Sequence, residues 1–159
     1  MSDMNYVIML RESLEKKIEV LKEIEKANED QRKVLLDPMA TPDDLHNSVE
    51  RKDKLIDALN KLDNGFDELY KRVRREISEN KELYADEIIK MKELIPRISD
   101  LSATLQAEEL RNKDLAAAKF SSIRSQIAKV NKNRAAVGSY YKSMEKINLI
   151  DPQFVDKKK

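Results

Sequence analysis

Cysteine and tryptophan are absent from this chain of 159 residues, histidine occurs once, and glycine only twice. Without cysteine there can be no disulfide, no thiolate nucleophile and no sulfur-based zinc site, which suits a reducing compartment. Two glycines (Gly65, Gly138) and four prolines leave few places to turn, which disfavours a β-rich or α/β fold with many short connections. No apolar run approaches the ~20 residues that span a bilayer. The opening "MSDMNYVIML" lacks the basic stretch and small-residue cleavage site of a secretory signal, so a cytoplasmic location is expected. Charge of one sign is missing too: 31 basic residues face 30 acidic ones. A general nucleic-acid binder would show a basic excess.

What is present is helical text. Charged residues make up 38% of the chain, and Ala, Glu, Lys, Leu and Arg together supply about half of it, the composition of long helices and coiled coils. Val7, Leu10, Leu14, Leu21 and Ile24, with Ile18 alongside, recur at three- and four-residue steps and predict a helix over 4–36. Lys17, Asn28 and Gln31 fall in the same register and make its seam imperfect. "LLDPMATPDDL" then stops the helix, since Pro38 biases Asp37 away from helical geometry.

The restart is specified by Thr41 as cap, Pro42 at the first helical position and Asp44 three residues after Thr41. Leu55, Leu59, Leu62, Phe66, Leu69, Val73 and Ile77 follow in four–three alternation, which makes Leu59 and Leu69 equivalent seam positions and predicts a helix over 43–77. The heptad keeps phase through Asn64-Gly65, so the helix is read as continuous there, a glycine costing about 1 kcal/mol. After a turn near Ser78 and Asn80 comes a third series, Tyr84, Ile88, Met91, Leu94, Ile98, Leu101 and Leu105, with Pro96 expected to bend it. A last series, Ala116, Phe120, Ile123, Ile127, Val130, Val137 and Tyr141, is one residue out of phase. That slip leaves open a bend within one helix over 80–145 or a fourth helix starting near Asn112. The expectation is an all-α antiparallel bundle of three to four long helices with coiled-coil-like packing over 1–147, and a flexible tail over 148–159.

Residues that carry chemistry are few. His46 has Asp43 and Glu50 at helical distance, but a di-metal carboxylate bundle needs two such motifs, and it is read as a solvated histidine. No glycine-rich phosphate loop or nucleophile elbow occurs, so no catalytic residue, cofactor or metal is assigned and an enzyme is not expected. "KRVRRE" (71–76) is interleaved with Glu68, Glu76 and Glu79, which makes it a salt-bridged solvent face. From Ala116 to Tyr141 the apolar stripe thins among "AAAK", "SS", "NKN" and "AAVGS". Such a stretch buries little area against its own bundle and could present a surface to a partner helix; a frayed terminal helix is the other reading.

"VERKDKLIDALNKLDNGFDELY" (49–70) followed by "LQAEELRNKDLAAAKFSSIRSQIAKVNKNRAAVGSYY" (105–141) resembles the FlgN/FliT-type flagellar type III export chaperones, and the closing "DPQFVDKKK" is similar to endings in that group. The FlgN-like type is favoured by length, without the sequence deciding it. The resemblance implies a cytoplasmic, non-enzymatic helical protein that binds the C-terminal helices of hook-filament junction or cap proteins. It would prevent their premature assembly and hand them to the export gate. By that pattern, partner binding falls to Phe120, Ile123, Ile127, Val130, Val137, Tyr140, Tyr141 and Phe154. No nucleic acid or stable membrane insertion is implied, and a homodimer stays open. The alternative is a generic coiled-coil scaffold without an export role.

Overall fold

The turn after the first helix is closed by a reciprocal pair of hydrogen bonds. The Asp44 amide donates to Thr41 Oγ1 at 3.1 Å, and the Thr41 amide donates to Asp44 Oδ2 at 2.9 Å. Each side chain thereby satisfies an amide that the first turn of a helix leaves without a carbonyl partner. In this computed structural model, residues 2–130 and 142–143 are described, Lys129 and Val130 by their backbone alone. Three helices span residues 2–130: α1 (Asp3–Leu36), α2 (Pro42–Glu79) and α3 (Ala85–Val130). No strand occurs among the described residues, and Lys142 and Ser143 are helical.

The α2 boundaries follow from local chemistry. Pro42 opens the helix, and Asn80 ends it: the Asn80 amide and side chain both return to the Glu76 carbonyl, at 3.0 and 3.3 Å. Gly65 sits inside α2, exposed, with nothing within 4 Å of where a Cβ would lie. Continuity through Asn64-Gly65 is therefore observed as expected.

The third helix begins later than the sequence suggested, at Ala85 and not at residue 80. Residues 80–84 form a turn in which the Leu83 amide bonds the Asn80 carbonyl. Pro96, the expected bend, lies inside α3, which continues on both sides of it. No new helix starts at Asn112 either. The phase slip is carried within one helix by Leu105, Glu109, Asn112, Ala116 and Phe120, all buried. Steps of four, three, four and four keep one face turned inward at 3.6 residues per turn. Two of those positions are polar, so an apolar pattern search breaks there.

The chain divides into two compact units, each taking a stretch from every helix: residues 1–23 with 57–103, and residues 24–56 with 104 onward. In the first, Val7, Leu10, Val73 and Tyr84 form one buried cluster with Phe66, Leu69, Ile77 and Ile88 packed against it. Leu14, Ile18 and Leu94 form another, flanked by Ile98 and Leu101. Arg11 of α1 ties to Glu87 of α3, Lys17 to Asp63 of α2, and the Tyr84 hydroxyl donates to Glu76. The basic "KRVRRE" segment lies here. Arg72 stacks over the Tyr6 ring at 4.8 Å and Arg75 pairs with Glu79, so two of its four cations have local partners.

In the second unit, contacts advance in step along α1 and α3: Asn28 with Glu108, Gln31 with Asn112, the Asp37 carbonyl with Lys119. Within this unit those helices run parallel. Between α1 and α2, joined by a short turn, Gln31 meets Ser48 and Asp30 meets Arg51. Among the described residues, the buried apolar side chains here are Ile24, Ala27, Leu35, Leu45, Val49, Ile56, Leu105, Ala116 and Phe120.

Candidate partner-binding site on the third helix

The residues assigned to partner binding begin where α3 leaves its last described tie to the α1–α2 turn. Lys119 Nζ donates to the Asp37 carbonyl at 3.3 Å. One residue further on, Phe120 is only 3% exposed, so this ring serves the core of the second unit. Beyond it the helix changes character. Ser121, Ser122, Arg124, Ser125, Gln126 and Ala128 are exposed, while Ile123 and Ile127 are half-buried. Four residues apart, the two isoleucines share one face of the helix. Val130 continues α3 by its backbone, and Val137, Tyr140, Tyr141 and Phe154 lie outside the described residues, as does the 148–159 tail. The structure thus brings Ile123 and Ile127 together and separates Phe120 from them by burial.

Just before this segment lies an arrangement that sequence reading did not assemble. Asn28, Gln31, Lys52 and Asn112 are fully buried, and Glu109 nearly so. Lys52 of α2 is ion-paired with Glu109 of α3 and donates to Gln31 Oε1 of α1 at 3.1 Å. Asn112 Nδ2 donates to the same Gln31 oxygen at 3.2 Å and to the Asn28 carbonyl at 2.9 Å. Gln31 Nε2 donates to Ser48 Oγ, whose hydroxyl donates to the Leu45 carbonyl. Three helices are joined at one level by charged and amide side chains. Asn28 and Gln31 are the residues that make the α1 seam imperfect in sequence, whereas an apolar periodicity gives no weight to Lys52, Glu109 or Asn112. A signal was available: Leu45, Val49, Lys52, Ile56 and Leu59 step by four and three, with a lysine in the middle of a buried stripe.

The other candidates are bland. His46 Nε2 lies 3.8 Å from Glu50, both side chains substantially exposed. Among the described residues no cluster of three or more potential ligands could hold a metal, and no helix is long and apolar enough to cross a membrane. What the fold and this site define is a long-helix protein whose distinguishing surfaces are helix faces. The model of the FlgN protein family matches residues 4–146, and the chain belongs to that family. FlgN proteins are flagellar export chaperones. No match was found among curated proteins or among solved structures.

Proposed function

We propose that this protein is a cytoplasmic chaperone that binds the C-terminal helices of hook-filament junction or filament-cap proteins. It keeps those helices from assembling prematurely and delivers them to the export gate. It acts without catalysis and without a cofactor. The observation that carries this reading is the change in α3 past Lys119: an amphipathic helix continues to Val130 with Ile123 and Ile127 half-buried between exposed neighbours. An incoming amphipathic helix would complete the burial of that face, and helix-in-groove recognition reads such i, i+4 anchors. Membership of the FlgN family supports a flagellar protein as the partner.

The test is sedimentation of the full chain with and without the C-terminal helical segment of a junction protein. A defined complex is expected, and Ile123→Asp with Ile127→Asp should weaken it about ten- to a hundredfold while Tm holds. Unchanged affinity in that variant would remove α3 from the interface. A chain that stays oligomeric on dilution and ignores the segment would be a scaffold instead. Tyr140 and Tyr141, outside the described residues, are proposed to add to binding or to hand-over. Replacing both with alanine should lower affinity with little effect on Tm.

A further inference from the structure

We propose that the buried layer of Asn28, Gln31, Lys52, Glu109 and Asn112 is a register lock, fixing how far along α1 and α2 the third helix sits. The proposal stands on the geometry of the second unit and does not depend on the partner reading.

Apolar seams built on four- and three-residue steps are nearly self-similar under a shift of one helical turn. Here the side chains a turn away from the layer are Ile24 and Ala27 on α1, Val49 and Ile56 on α2, and Leu105 and Ala116 on α3, all buried. Sliding α3 by one turn, about 5.4 Å, would exchange one aliphatic contact for another at small cost. The polar layer removes that freedom. Moved one turn to the level of Leu105, Glu109 would leave Lys52 and enter an aliphatic level, stranding two buried charges of opposite sign. Moved the other way, its carboxylate would take the place of Asn112 against two acceptors, Gln31 Oε1 and the Asn28 carbonyl. Asn112 would at the same time lose both the Gln31 oxygen and the Asn28 carbonyl. Only one alignment satisfies all three helices.

Stability alone does not account for the layer. A buried ion pair contributes little net stability against an aliphatic replacement of similar size, and its best-attested use is to select register. Asn28 Oδ1 is buried and meets no hydrogen-bond donor among the described residues, so the layer is also imperfectly satisfied. Its place in the chain gives the lock a consequence. Asn112 lies two turns before Lys119, whose bond to the Asp37 carbonyl depends on the same alignment. The alignment therefore sets how much of α3 extends past the α1–α2 turn.

The absence of cysteine gives a clean test. Spin labels on Lys33→Cys and Ala117→Cys, exposed positions on α1 and α3 of the second unit, report the alignment as a distance distribution. The parent should give one narrow maximum. Lys52→Met or Glu109→Leu alone should lower Tm by on the order of 10 °C, because each strands a buried charge. The double variant Lys52→Met, Glu109→Leu should recover the parent Tm or exceed it. Its distance distribution should broaden or gain a maximum displaced by about 5.4 Å. A double variant with recovered Tm and the parent's single narrow maximum would overturn the lock. So would a double variant as unstable as the singles, since the pair would then be a net stabiliser.

Discussion

Arg11 of α1 and Glu87 of α3, 76 residues apart in sequence, meet through a 2.7 Å bond from Nε to Oε2. Arg11 also reaches Glu15 one turn along its own helix. The guanidinium bond holds the Glu87 carboxyl below the ordinary glutamate range, against the opposing pull of partial burial. Glu87, and secondarily Glu15, push the Arg11 guanidinium further up.

A pH dependence follows from the Glu87 shift. Because its folded-state pKa is depressed, the stabilisation is present above the ordinary carboxylate value of 4.5 and is lost as pH falls through the lower folded value. Glu87→Gln should therefore lower Tm at neutral pH. The gap to the parent should close progressively below pH 4.5. A gap that is constant down to acid would mean the pair does not couple to folding.

Leu59 and Leu69, equivalent in the heptad, are not equivalent in the fold. Leu59 is 2% exposed, whereas Leu69 is only partly buried at the margin of the Val7–Val73 cluster. Leu59→Ala should cost about 2–5 kcal/mol, and Leu69→Ala clearly less, about 1–2 kcal/mol, since truncation there opens to solvent instead of leaving a cavity. Urea unfolding measures both. Equal losses would restore the strict heptad as the core.

Gly65→Ala should stabilise the protein by roughly 0.5–1 kcal/mol. The added methyl meets nothing, and alanine gives up less backbone freedom on folding. A lowered Tm would show that α2 is not a regular helix at this point.

Thr41→Ala should cost about 1 kcal/mol by removing the acceptor for the Asp44 amide. Asp44→Ala should cost a similar amount or less, and the double variant less than the sum, because the two bonds form one reciprocal unit. Strict additivity would mean that the two side chains act separately.

The sequence by itself determined what depends on neighbours in the chain. The Thr41–Asp44 cap, the stop at Pro38, the run through Gly65 and the aliphatic α1 seam from Val7 to Ile24 are governed by residues within a turn of one another. Their chemistry can be read in order. The "VERK" and "EELRN" stretches that carried the family resemblance could be quoted from sequence, but their physical content could not. Only the tertiary structure decided that Lys52, Glu109 and Asn112 are interior. A polar side chain is stable inside only if its partners arrive, and here they come from other helices: Gln31 is 21 residues from Lys52 and 81 from Asn112. The same reason hid the continuity of α3. A helix whose inward face turns polar for two positions looks broken in hydrophobicity, while its backbone, held by i to i−4 bonds, continues unchanged.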